Sequence, residues 1–216
     1  MLSSNMLASS DFFTGAFPAQ YGNAMSGVFD INLRQGNFDK HEHAFQAGLM
    51  GLAAASEGPL SKGSRSSYLL NYRYSTLAIL NRLGLDLLGE QEDILFQDLS
   101  FKVKVPTKKL GAFSFWGLGG NSSYEYTPDP SFGEYEFDTE KQTTAIAGIT
   151  NVAYISDDSY FETILSTSYN KLSNIYDSLK VRVLYEEDFI ETQLRFSSFY
   201  NHKFSASNTM LSLIHI

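Results

Sequence analysis

Cysteine is absent from the sequence, which excludes disulfide frameworks and thiolate metal sites. Proline is scarce, at 5 residues, and 16 glycines are too few for a disordered, low-complexity chain. Positive charge is in the minority: 16 Lys and Arg stand against 24 Asp and Glu, a net charge of −8. Nucleic acid demands a basic face against its phosphates, so no nucleic-acid partner is expected. Long apolar runs are missing as well, and mean hydropathy is −0.17. No stretch approaches the ~20 apolar residues of a spanning helix. Strands of a transmembrane barrel escape that test, because they alternate and average to a neutral hydropathy.

Aromatic residues are plentiful, at 14%, with 17 Phe and 13 Tyr beside a single Trp. From residue 44 onward many of them sit in alternating patterns. In "SYLLNYRYS", Tyr68, Leu70, Tyr72 and Tyr74 oppose Ser67, Asn71, Arg73 and Ser75. In "DLSFKVKVP", Leu99, Phe101, Val103 and Val105 oppose Asp98, Ser100, Lys102 and Lys104. The same holds for Phe161, Thr163, Leu165, Thr167 and Tyr169 against Glu162 and Ser166, and for Ile190, Thr192, Leu194 and Phe196 against Glu191 and Arg195. Weaker segments at 44–56, 111–124 and 143–155 read as strands too, and a last strand is expected near Ser205. One segment with helical spacing of Leu, 74–89, predicts a short helix inside a loop.

The connections predict a meander. "PTKK" (106–109), "SDDS" (156–159) and "NHK" (201–203) read as tight turns, and "EGPLSKGS" (57–64) as a slightly longer one. Between them lie long connections at roughly 76–95, 125–142 and 171–188. Short turns on one side and long loops on the other suit an antiparallel outer-membrane barrel. Strands of about 10–14 residues, longer than the ~5–6 usual in globular sheets, point the same way. Asp98, Lys102, Lys104, Glu162, Glu191 and Arg195 then become candidates for a wet lumen. A soluble β-sandwich also produces amphipathic strands and stays open as an alternative.

Motifs of catalysis are lacking. No Gly-x-Ser-x-Gly elbow and no Ser/His/Asp grouping can be argued, so no enzyme and no cofactor are expected. "GLGGNSS" (117–123) lacks the Lys of a phosphate loop, and its glycines are expected to permit strand bending or close approach of another segment. Asp129 and Glu140 have the spacing of a calcium loop, but Glu134 stands where Gly is required. His41 and His43 have no third ligand in view, and Glu186, Glu187 and Asp188 read as a solvated charge run. The acidic, aromatic segment 124–141 reads as a solvent loop in which Tyr124, Tyr126, Asp129 and Tyr135 are candidates to touch a ligand.

Residues 11–37 behave differently. "FPAQYGNAMSG" collects Pro18, Gly22, Asn23 and Gly27, which restrict or relax the backbone. It leads into "GVFDINLRQGN", one alternating strand ending at Arg34 and Gly36. The residues before it do not alternate, so its partner is expected to lie far away or upstream of Met1.

The stretch "PAQYGNAMSGVFDINLRQGN" resembles the end of the plug domain of TonB-dependent outer-membrane receptors. There a Pro-Ala-x-Tyr-Gly segment precedes a Gly-Val-x-x-Ile-x-x-Arg-x-Gly strand. The wording "DFFTGAFPAQYGN" is closest to Bacteroidetes-type members, and "EGPLSKGSRSSYLLNYRYSTL" looks like their first barrel hairpin. The resemblance implies an all-β fold: residues 1–37 as the C-terminal part of a plug and residues 38–216 as the N-terminal part of a barrel, with about 7–8 strands. It implies Gram-negative outer-membrane localisation and uptake of a scarce nutrient such as a metal chelate, vitamin or oligosaccharide. The implied partners are outer-membrane lipid and the TonB protein with its inner-membrane energising complex, and carbohydrate-importing relatives often add a surface lipoprotein. Pro18, Tyr21, Gly22, Asn23, Gly27, Arg34 and Gly36 carry the match at the plug–barrel junction. By the same resemblance Arg34 would pair with a wall carboxylate such as Glu162 or Glu191, the alternative being an exposed arginine at a strand end. No basic leader precedes Arg34, the first cationic residue, and the chain ends on Ile216 where the family's last strand ends on an aromatic residue. Both ends are therefore expected to be truncations. A passive porin-type or adhesin-type barrel is the other membrane alternative.

Overall fold

A computed structural model describes residues 4–18, 21, 26–49, 51–75, 77, 92–129, 131, 136–178 and 182–215. Residues 42–215 build one nine-stranded antiparallel sheet in which each strand pairs with its sequence neighbour. The strands are β3 (Glu42–Gly48), β4 (Gly51–Pro59), β5 (Ser67–Tyr74), β6 (Glu92–Pro106), β7 (Ala112–Tyr126), β8 (Glu136–Ser156), β9 (Ser159–Ser178), β10 (Arg182–Lys203) and β11 (Thr209–His215). A small hairpin of β1 (Asp11–Phe13) and β2 (Val28–Asp30) precedes them. The fold is all-β and antiparallel, as the alternation predicts. Among the described residues the two edge strands, β3 and β11, are not joined.

Three expectations need correction. Segment 44–56 is not one strand but a hairpin: Gly48 pairs with Gly51, and Ala44, Gln46 and Phe45 lie across from Ala55, Ala53 and Ala54. Residues 47–55 are small or apolar throughout, so no polar turn residue marked the break. The long connections 125–142 and 171–188 shrink to 127–135 and 179–181, because β7 runs on to Tyr126 and β8, β9 and β10 span 21, 20 and 22 residues. Tyr, Thr and Ile give these extensions β preference without a buried face to impose a hydrophobic period. "NHK" is likewise strand, and the turn follows at 204–208. The helix expected over 74–89 lies mostly outside the described residues; Tyr74 closes β5.

The registers sort side chains onto two faces, because directly paired residues project to the same side. One face carries Leu70, Tyr72, Leu99, Phe115, Ile149, Phe161, Leu165, Tyr169, Ile190, Leu194 and Phe196, all solvent-exposed. The other carries Asn71, Arg73, Asp98, Ser100, Lys102, Thr144, Asn170 and Glu191, with apolar side chains such as Leu69, Trp116, Leu118, Ile146 and Leu172 between them. The charges it holds make it the polar face. Exposure differs between the faces: Leu194 is 73% exposed on the first, while Asn71 and Ser100 on the second are 0%.

The apolar face has an edge. Along β9 it runs from Phe161 to Tyr169 and then changes to Lys171 and Ser173. Lys141, Ser173 and Asp188 form one polar cross-strand row on β8, β9 and β10, beside a Lys171–Asp188 ion pair of 2.9 Å. The apolar band is therefore about as long as the ~9–11 tilted residues a spanning strand needs, and β8–β10 continue beyond it.

Candidate functional site

The N-terminal segment lies against the polar face. Its 3-10 turn, Ser4–Met6, packs on β5, and both Met6 and Leu69 are buried. The segment's own pairing corrects the expectation of a distant partner. Val28–Asp30 pairs with Asp11–Phe13, and the ladder continues through a Leu7–Leu33 bridge. The Ala8 amide donates to the Asn32 carbonyl (2.7 Å), and the Arg34 amide to that of Met6 (2.9 Å). Residues 5–13 need no alternation for this, since backbone hydrogen bonds make the ladder and neither face of the hairpin is buried. The Phe12 and Phe29 rings stack across it at 4.9 Å, and a Cβ at Gly27 would press on the Phe12 ring at 3.2 Å.

Arg34 is the anchor, but to a different partner from the one expected. It donates from Nη1 and Nη2 to the two carboxylate oxygens of Glu57, each at 2.7 Å, and from Nε to the Asn5 carbonyl at 2.5 Å. Glu57 also accepts the Asn37 amide at 2.8 Å. The Glu57 hydrogen bonds hold the Arg34 guanidinium above its ordinary pKa, against a smaller opposing effect of burial. Glu162 and Glu191, the partners expected from sequence, stand five and six strands away from Glu57 across the sheet. Two residues on, Gly36 is buried because the chain must touch β5: a Cβ there would lie 2.0 Å from the Tyr68 carbonyl oxygen. Lys102 adds a third tie, donating to the Leu33 carbonyl at 2.6 Å.

The registers bring Asp98, Lys102, Lys104, Glu162, Glu191 and Arg195 onto this same polar face. They are not one cluster. Asp98 is 3% exposed and paired to Arg73, Lys102 holds the N-terminal segment, and Glu191 and Arg195 flank Gln193 in a side-chain chain along β10. One row of direct partners crosses six strands: Arg73, Asp98, Gly120, Thr144, Asn170 and Glu191. Where this row contains glycine, a cavity of about 400 Å³ opens beside Arg73, Asp98 and Gln142.

The remaining expected residues are spread out. Pro18 is exposed; its carbonyl accepts the Tyr21 amide at 3.0 Å, and the Tyr21 ring packs on Phe13 at 5.7 Å. Gly22, Asn23 and Tyr135 lie outside the described residues. Tyr124 and Tyr126 belong to β7 and not to a loop, and both are half-buried. Asp129 is in the connection, where its carboxylate accepts the Ser131 hydroxyl (2.7 Å) and amide (2.8 Å) and is held below the usual carboxylate range by them. Of the glycines of "GLGGNSS", Gly117 meets the Phe101 ring and Gly120 meets Gln97 and Asp98, both from the neighbouring strand β6. His41 meets the Tyr68 hydroxyl at 3.2 Å, and among the described residues no group of three His, Asp or Glu could hold a metal.

Glu57 and Arg73 were not singled out from the sequence. Arg73 stood in an alternating run with the right parity. Glu57 is expected at the start of the turn 57–64 but is in fact strand, since β4 runs on to Pro59. Only the register shows that Arg73 faces Asp98 and that Glu57 lies under Arg34. No protein-family model, curated protein or solved structure matches the chain.

Proposed function

We propose that the chain is part of a TonB-energised outer-membrane receptor, with β3–β11 a section of the barrel wall and residues 1–37 the last part of the plug. The observation that supports it most is the two-faced sheet. Eight strand spacings of about 4.8 Å and a band of about 8 residues at about 3.3 Å, the length that β3, β5 and β11 allow, amount to roughly 1,000 Å² of apolar face. Monomeric soluble proteins rarely expose more than about 300–600 Å² in one patch. At about 25 cal/mol per Å², covering such a face is worth on the order of 25 kcal/mol, so lipid is its natural surrounding. The opposite face holds the sheet's buried charges and carries a docked segment, which favours a plugged lumen over a passive porin or adhesin.

In this reading the short connections 107–111, 157–158 and 204–208 face the periplasm. The extended ends of β7–β10 and the connection 127–135 face outward, where a scarce nutrient is captured. Transport follows when TonB, driven from the inner membrane, moves the plug away from Glu57 and Lys102; a surface lipoprotein is a further proposed partner. No step breaks a covalent bond, so the protein acts as a transporter component and not as an enzyme.

Membrane flotation tests the reading. The chain, refolded in detergent and mixed with phospholipid vesicles, is expected to float with them and to resist carbonate extraction. Recovery in the soluble fraction at every lipid ratio would end the membrane reading in favour of a soluble β-sandwich. For the TonB dependence, uptake by the encoding strain must stop when the proton gradient is collapsed.

A further inference from the structure

The cavity on the polar face has a defined chemistry. Arg73 donates from Nε to both Asp98 oxygens at 3.1 Å and from Nη2 to Oδ2 at 2.8 Å. The two charges satisfy each other, and Asp98 is almost fully buried. Among the described residues that line it, no cation is left unpaired for an anion and no carboxylate for a cation. What remains to meet a ligand is neutral: the Gln142 carboxamide, the Ser122 hydroxyl and the Phe96 ring.

The floor is Gly120, where a Cβ would sit 2.5 Å from the Gln97 carbonyl oxygen and 2.8 Å from Asp98 Cβ. No side chain fits at that point without moving β6, so the gap in the cross-strand row is built into the backbone. A volume of about 400 Å³ lies at the small end of ligand sites. It admits one or two sugar-sized rings and excludes a large chelate or macrocycle. Gln142 is itself positioned, donating to Asn170 Oδ1 at 3.4 Å while Thr144 donates to the same atom at 2.8 Å.

We propose that this cavity binds a neutral polyhydroxylated molecule of monosaccharide size, with its hydroxyls on Gln142 and Ser122 and its C–H face on Phe96. Alternating hydroxyl and C–H groups match a site that offers one carboxamide, one hydroxyl and one apolar wall, while a desolvated ion does not. The inference rests on the receptor reading for the idea that this face meets incoming ligand, and it places a recognition step on the sheet itself.

The test uses the full chain folded in an amine-oxide detergent, which carries no sugar, with D-glucose, citrate and L-alanine as probes in saturation-transfer NMR. Transfer to glucose is expected, with little to citrate or alanine. Gln142→Leu and Ser122→Leu are each expected to reduce it about fivefold, while Gln193→Leu, farther along the same face, leaves it unchanged. Circular dichroism confirms that each variant keeps its strands, and the two cavity variants check one another. Absent transfer to glucose, equal transfer to citrate or alanine, or indifference to both cavity substitutions would overturn the proposal. Vesicle flotation of the same preparations separates the two readings. Protein that floats but does not bind glucose loses only this site, and protein that binds glucose but does not float loses only the receptor reading.

Discussion

Arg34 shows how much one side chain holds. Its fork spans both oxygens of a half-buried carboxylate, geometry that Lys cannot reproduce. Arg34→Ala leaves Glu57 with one amide donor and is expected to weaken docking of the N-terminal segment by about 1–2 kcal/mol. Hydrogen exchange of the Ala8 and Arg34 amides, which close the segment's ladder, measures that loss; unchanged protection would show that Met6 and Lys102 suffice. Asp129 supplies a pH prediction of the same scale. Its carboxyl is held below the ordinary value by the Ser131 hydroxyl and amide. A group depressed in the folded state contributes above its unfolded pKa, near 3.9, and that contribution is lost as pH falls through the lower folded value. An NMR titration of the Asp129 carboxyl carbon should therefore show a midpoint below about 3.9, moving part of the way back in Ser131→Ala, which removes the hydroxyl and keeps the amide.

Elements carry the next level. β8, β9 and β10 are longer than the apolar band that crosses them, and their outer parts present Lys141, Lys171, Ser173 and Asp188 where the band presents Ala147, Leu165 and Leu194. In detergent the micelle covers the band and leaves the extensions wet. Amides of residues 173–178 are expected to exchange at least about tenfold faster than those of 163–169, and equal rates would mean the two regions share one environment. The strands themselves were legible from alternation in 67–75, 98–106, 160–170 and 189–200. Their ends were not, because an extension that buries neither face has no period to read. The hairpin at 48–51 was hidden for a related reason, since residues 47–55 are small or apolar throughout and offer no polar turn signal.

At the scale of the whole molecule, the apolar face and its surroundings decide behaviour. Leu194 lies near the middle of the band and is 73% exposed. In water, Leu194→Arg would be close to neutral, as surface substitutions usually are within ±0.5 kcal/mol. In a bilayer, a charge at the midplane of a barrel's lipid face costs about 2–4 kcal/mol. Vesicle insertion titrated with urea is expected to show the larger loss for Leu194→Arg, with little effect from Asp188→Arg beyond the band. Similar small effects at both positions would favour a soluble protein.

Composition and alternation alone determined that this chain forms an antiparallel β meander with its charges gathered on one face and an apolar band on the other, because a period of two survives any arrangement of the strands. They also marked residues 11–37 as a separate segment, since proline, glycine and asparagine interrupt that period. Only the tertiary structure decided who meets whom. Glu57 and not Glu162 or Glu191 receives Arg34, Asp98 closes on Arg73, β2 finds its partner in β1, and Gly120 opens a cavity between neighbours that keep their side chains. Each of these depends on register between strands far apart in sequence, and a repeat of two residues carries no information about which pair of turns aligns them.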